Sequence, residues 1–203
     1  MRRKYLAVLA VIAIMAIATA VPGYGFSGDK APEASPGSAP AAALRSEGGS
    51  IYMKVEGSRA GAIEGGATGA GREGWIEVVA FTHEVVSPRD AASGLPTGKR
   101  QHKPISITKP IDKATPLLFQ ALVSNENLPN VELRFFKPDP KTGKEQMYYT
   151  IELTNASIAG IGQSQAVGDP MPLEEVSFTY QKIVWTWTDG GITAEDDWET
   201  PVS

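Results

Sequence analysis

From Ile51 onward the chain alternates. Ile51-Tyr52-Met53-Lys54-Val55-Glu56 carries an apolar side chain at every second position, the period of a half-buried β-strand. Trp75 to Glu84 reads as another strand, with Trp75, Val79 and Phe81 on one face and Ile76, Val78, Ala80, Thr82 and Glu84 on the other. Ile105-Ser106-Ile107-Thr108 is a short third. Val131, Leu133 and Phe135 alternate, a turn follows at Pro138-Asp139-Pro140-Lys141-Thr142-Gly143, and Met147, Tyr149, Ile151 and Leu153 alternate next, so the pair predicts a hairpin that Ala156 to Ile161 can extend. Between Glu174 and Trp187 the phase changes: Val176, Phe178 and Tyr180 occupy even positions, Ile183, Trp185 and Trp187 odd ones. A β-bulge between Tyr180 and Ile183 would reconcile the two.

One segment has a helical period instead. In Thr115 to Val123, Leu118 and Leu122 are four apart, as are Leu117 and Ala121, with Thr115 as N-cap, Pro116 as first helical residue and a stop across Asn125 to Pro129. Many strands and one helix predict a mostly β fold, an antiparallel β-barrel or sandwich with one short flanking α-helix.

Ahead of this body the material differs. Met1-Arg2-Arg3-Lys4 precedes an uncharged apolar run of 16 residues from Leu6 to Val21, with small residues at Ala18 and Ala20. The run is short of the ~20 residues that span a bilayer, so residues 1–20 read as a secretory signal cleaved after Ala20, with an uncleaved anchor as the alternative. Residues 21–50 are dominated by Gly, Pro, Ser and Ala and read as a disordered linker. The folded domain is 51–203.

Composition narrows the chemistry. There is no Cys and only two His, His83 and His102, which removes thiol nucleophiles and Cys-ligated metal centres and makes a His-rich site unattractive. The net charge is −4, and with Arg2, Arg3 and Lys4 removed it falls to −7, which disfavours a nucleic-acid partner. The seven glycines between Gly57 and Gly74 match no phosphate-binding loop and predict a mobile hairpin loop. His83 and Glu84 are neighbours on a strand and point to opposite faces. Glu195-Asp196-Asp197 reads as a solvated acidic tail rather than a cation site. No catalytic constellation and no cofactor is expected. Residues 87–104 form a long turn-rich loop carrying Lys99-Arg100-Gln101-His102-Lys103, a basic cluster on an acidic protein and a candidate contact loop.

Several runs resemble a known family. Ile51-Tyr52-Met53-Lys54-Val55-Glu56-Gly57, Gly71-Arg72-Glu73-Gly74-Trp75-Ile76-Glu77-Val78 and His83-Glu84-Val85-Val86-Ser87-Pro88-Arg89-Asp90 are similar to the haemolysin co-regulated protein (Hcp) family. So are Thr97 to Pro104 continuing through Thr108 to Leu118, and Tyr180 to Gly191. The resemblance spans about 51–202. It implies the tube protein of the type VI secretion system: a small β-barrel with one flanking helix, assembling as hexameric rings that stack into a tube. A contractile sheath expels the tube behind a spike protein, with effector proteins in the lumen.

On this resemblance the loop 87–104 meets the neighbouring ring. Its candidate stacking residues are Ser87, Pro88, Arg89, Asp90, Lys99, Arg100, His102 and Lys103, and an acidic patch such as Glu195, Asp196 and Asp197 on the next ring is a candidate partner. Thr82 is the candidate lumen position. The resemblance implies release outside the cell through the secretion machine. The amino-terminal signal departs from the family and implies Sec export to the periplasm or a misassigned start. A secreted β-barrel that binds partners without forming tubes is the alternative function.

Overall fold

The computed structural model describes residues 49–168 and 170–198, so the expected signal peptide, most of the expected linker and the last five residues lie outside the described residues. In chain order the elements are β1 (Ile51–Gly57), β2 (Gly61–Ile63), β3 (Ile76–Val78), β4 (Ala80–Thr82), β5 (Val85–Val86), β6 (Gln101–His102), β7 (Ile105–Pro110), α1 (Thr115–Val123), β8 (Leu128–Pro138), β9 (Glu145–Ser164), β10 (Leu173–Thr179), β11 (Lys182–Trp187) and β12 (Ile192–Asp197). Every ladder is antiparallel, and the main sheet runs β2-β1-β8-β9-β10-β7-β4.

The alternation seen in the sequence sorts these strands into two faces. Met53 and Val55, Val131 and Leu133, Ile151 and Leu153, Val176 and Phe178, and Ile105 and Ile107 point inward and are buried. Each such side chain removed from water contributes about 1.5–3 kcal/mol, so the inner face is what holds the sheet curved round a single core. Leu118 and Ala121 of α1 join that core as the helix packs against β9, while Leu117 stays exposed.

Residues 75–84, expected as one strand, are two. Ile76–Val78 pairs with β1, and Ala80–Thr82 pairs with β7. Val79 sits at the changeover and donates its N–H to Thr108 O at 2.8 Å. This short segment therefore bridges two strands that lie far apart along the sheet order.

The phase change between Tyr180 and Ile183 is real, but its cause is not the expected bulge. Thr179 pairs with Ser157 and Lys182 with Thr154, so both strands carry two residues across the break and neither gains an extra one. Instead both turn together. Asn155 of β9 adopts a left-handed conformation at φ 49°, and its side-chain amide donates to Gln181 Oε1 at 2.8 Å. The one-residue irregularity lies further along, where Ser177 pairs with Gly160 and Phe178 with Ile158.

The glycine-rich stretch is laced rather than loose. Gly65 and Gly74 share a backbone hydrogen bond of 2.8 Å, Ala67 N–H reaches Trp75 O, and Gly66 N–H reaches Asp112 Oδ2 at 2.8 Å. At Gly65 a Cβ would stand 2.5 Å from Ile76 Cα, so only glycine permits this approach.

Thr115 is not the N-cap. Ala114 occupies that position without a side-chain cap, and the Thr115 hydroxyl donates instead to Glu174 Oε1 at 2.8 Å. That bond belongs to a buried charge network. Lys109 Nζ donates to Glu174 Oε1 at 2.7 Å, Asp112 Oδ1 at 2.8 Å and Pro110 O at 2.8 Å, and Gln163 donates to the other Glu174 oxygen at 2.9 Å.

Candidate functional site

The long loop is an arm. Its two sides pair, Val85 with His102 and Val86 with Gln101, and the ladder continues through an isolated bridge between Arg89 and Pro96. Thr97 N–H bonds Pro88 O at 3.0 Å and Asp90 N–H bonds Leu95 O at 2.9 Å. The tip is built by Asp90, whose Oδ1 accepts from Ser93 N–H at 2.7 Å, Ser93 Oγ at 2.8 Å and Ala92 N–H at 3.2 Å. These bonds hold the Asp90 carboxyl below the usual aspartate range. Gly94 closes the turn at φ 71°. Asp-Ala-Ala-Ser-Gly is thus an Asx-type turn written in the sequence.

The predicted contact residues divide along the arm. Ser87, Arg89, Asp90, Lys99 and Lys103 are exposed and Pro88 is half-buried. Arg100 and His102 are at the root and face the barrel. Arg100 is bonded through Nε to Asp196 Oδ2 and donates to Asp197 O at 2.7 Å. His102, with only 3% of its side chain exposed, places Nε2 2.7 Å from Asp196 Oδ2 and Nδ1 2.9 Å from the Tyr180 hydroxyl. The acidic residues expected to meet the basic cluster from another ring therefore meet it inside the same chain. Lys182 likewise pairs with Glu195 at 2.8 Å. They form the edge strand β12 and not a solvated tail.

Around this anchor is an aromatic shell. His102 stacks on Trp185 at 6.4 Å and lies 5.0 Å from Trp198, and His83 lies 5.8 Å from Trp185. His83 Nε2 is 3.2 Å from the same Tyr180 hydroxyl. Burial pushes the Tyr180 phenol up to about 12, so it stays protonated. Beside it opens a cleft of about 210 Å³ lined by His102, Lys103, Pro104, Thr179, Tyr180 and Trp198. Tyr180, Trp185 and Trp198 are not legible as site residues in the sequence, whereas Asp196 is, as part of the acidic patch. Only the opposite charges of 99–103 and 195–197 pointed to a meeting.

Thr82, one residue before His83, ends β4 and is exposed. Its row across the sheet is Thr82, Ser106, Ser177 and Gly160, and the next row is Ala80, Thr108, Glu175 and Gly162. Ser106 and Ser177 share a hydroxyl hydrogen bond of 2.8 Å. This outward face is small and polar, whereas the inward face of the same strands carries Ile105, Ile107, Val176 and Phe178. Among the described residues no group of three or more His, Asp and Glu could hold a metal ion.

Among the described residues the chain is an antiparallel sheet with one helix, a small polar outer face and an arm fastened at its root. Comparison with known proteins gives this fold a family. Residues 52–187 match the family model described as "Type VI secretion system effector, Hcp". The "Major exported protein" of Pseudomonas aeruginosa is 41% identical over 167 residues, covering 75% of this chain and 96% of that protein. Among solved structures, an Hcp protein crystal structure is similar at TM-score 0.69 and 36% identity, covering 73% of this chain and 99% of that one. The secreted protein Hcp3 from Pseudomonas aeruginosa is similar at TM-score 0.63 and 35% identity, covering 75% and 99%. The chain belongs to the Hcp family of the type VI secretion system.

Proposed function

We propose that this chain is the ring subunit of a type VI secretion tube. Copies associate as hexameric rings, the rings stack through the arm, and the tube leaves the cell with effector proteins in its lumen, driven by sheath and spike proteins of the machine. The observation that carries this reading is an arm locked at its root and bare at its end. Leu95 is 65% exposed at the tip, and Arg89 and Lys99 stand exposed along the sides. An arm already ordered in the subunit loses little further conformational freedom when it docks, which favours a repeated head-to-tail contact. The row Thr82, Ser106, Ser177 and Gly160 supports the lumen assignment, because a face of short side chains leaves the bore open and offers cargo few specific contacts.

The basic cluster has to be tested with the anchor left intact. Arg100 is engaged within its own chain, so the informative variant is Lys99→Ser with Lys103→Ser. Its subunits fold and form rings, while stacking into tubes drops and becomes less sensitive to salt, since long-range attraction between exposed charges is screened over about 10 Å at 0.1 M salt. Electron microscopy counts the tubes. Tubes of normal length and abundance would remove these lysines from the stacking contact, and light scattering that finds only monomer in the wild type would overturn the ring itself.

A further inference from the structure

Both histidines of the chain sit at the arm root, and one phenol joins them. The distances admit a single set of proton positions when both rings are neutral. Asp196 can only accept, so His102 Nε2 carries a proton and donates it across 2.7 Å. His102 Nδ1 is then bare and accepts the Tyr180 O–H across 2.9 Å. The phenol oxygen in turn accepts from His83 Nε2–H across 3.2 Å. Every donor has an acceptor, and the chain of bonds runs from β4's end, through the β10–β11 link and the arm, to β12.

One added proton can be absorbed. Placed on His102, it makes Nδ1 a donor to the Tyr180 oxygen, the phenol turns its own hydrogen to His83 Nε2, and His83 carries its proton on Nδ1 instead. The imidazolium lies against Asp196. A second proton has no such outlet. With both rings charged, both nitrogens facing the phenol are donors and the Tyr180 hydrogen loses both of its acceptors. The phenol cannot yield by ionising, because its proton is held up to about 12. Arg100 already draws on Asp196 and on the charge of Asp197, and Lys103 borders the cleft, so the carboxylates at the root already face a cation before either ring is charged.

We propose that the arm is fastened to the barrel by a proton-sensitive latch, closed while at most one of His83 and His102 is charged and released when both are. This deepens the stacking reading by giving the arm a control, but it concerns the subunit alone and is tested there. Burial, with the neighbouring His102, lowers His83. The sign follows from linkage. In the released arm His83 returns toward about 6.5 and binds protons more readily than in the closed one, so closure is fully supported above that pH and lost as pH falls through the lowered value.

Hydrogen exchange read by mass spectrometry on the full chain, corrected for the intrinsic pH dependence of exchange, tests it. Between pH 7.5 and pH 5.0 peptides covering 85–102 open about tenfold more, the loss expected for the one phenol hydrogen bond left without an acceptor, while β8 and β9 keep their protection. In His83→Gln the amide donates to Tyr180 at neutral pH and turns its carbonyl to accept when His102 is charged. That variant is as protected as wild type at pH 7.5 and loses the response to acid. An NMR titration of the wild-type histidines gives a second measure, with release of the arm coinciding with the second protonation. Arm protection that is unchanged between the two pH values, or a His83→Gln arm that opens in acid as far as wild type, overturns the latch. Neither readout requires tubes, so the latch and the tube reading fail separately.

Discussion

Lys109 and Glu174 are the most demanding residues of the fold. Both side chains are fully buried and their charged atoms are 2.7 Å apart. Such a pair is held in place by its completeness: Asp112, Thr115, Gln163 and Pro110 O take up the remaining bonding capacity. Glu174→Ala leaves the buried Lys109 ammonium with Pro110 O, Asp112 and Thr115 but without its fully buried counter-ion, and urea unfolding is expected to show a loss of about 3–5 kcal/mol. Lys109→Met combined with Glu174→Leu removes both charges and costs far less than the single change, because burying a matched apolar pair avoids the desolvation penalty. Equal losses in the two variants would mean that packing and not charge holds this site. None of this was legible in the sequence. Lys109 lies in a strand whose alternation marks it as inward-facing, but its partner is 65 positions away. Thr115 looked like a cap because its local neighbours suit one. The hydroxyl went to Glu174, a partner that local sequence cannot supply.

At the scale of elements the sequence spoke more clearly, because hydrophobic period is a local signal. The strands around Met53, Leu133, Ile151 and Ile107, the helix from Thr115 to Val123, and the turn led by Asp139 are all where alternation and turn chemistry put them. The errors fall where an element changes partner. Residues 75–84 do not keep the single period expected of one strand: Ile76 and Val78 are buried in β3, whereas in β4 Phe81 packs on the core and Ala80 and Thr82 face outward, so the phase flips at Val79 as the chain passes from β1 to β7. At the corner of β9 with β10 and β11 the phase changes as well, and a single strand seen alone cannot distinguish an inserted residue from a bend shared with its neighbour. Asn155 is the residue that decides it, since asparagine tolerates the left-handed conformation that branched side chains resist. Asn155→Gly is expected to be close to neutral, whereas Asn155→Val should cost about 1–2 kcal/mol, read from the shift in the urea midpoint. Indifference to valine would show that the corner is set by Tyr180 and Gln181 alone.

For the whole molecule, the arm and the small polar face are two separate features of the fold, and they test the tube reading independently. Thr82 is exposed, and its row continues through Ser106, Ser177 and Gly160, the last with open space where a Cβ would stand. A large side chain added there meets solvent and not the core. Thr82→Trp is therefore expected to change subunit stability by no more than about 0.5 kcal/mol, the usual range for a surface substitution. Its consequence appears only on assembly. If this face lines the lumen, a ring gathers six indoles into its bore. Rings and tubes still form, because no ring or stacking surface is altered, while retention of effector proteins by the tube falls when measured by co-purification with tubes. If the face instead lies outside the tube or between subunits, the pattern reverses: cargo per tube is unchanged and assembly suffers. Loss of rings with Thr82→Trp, read by light scattering, would thus move Thr82 from the lumen to an interface and leave the arm as the sole support for the geometry proposed.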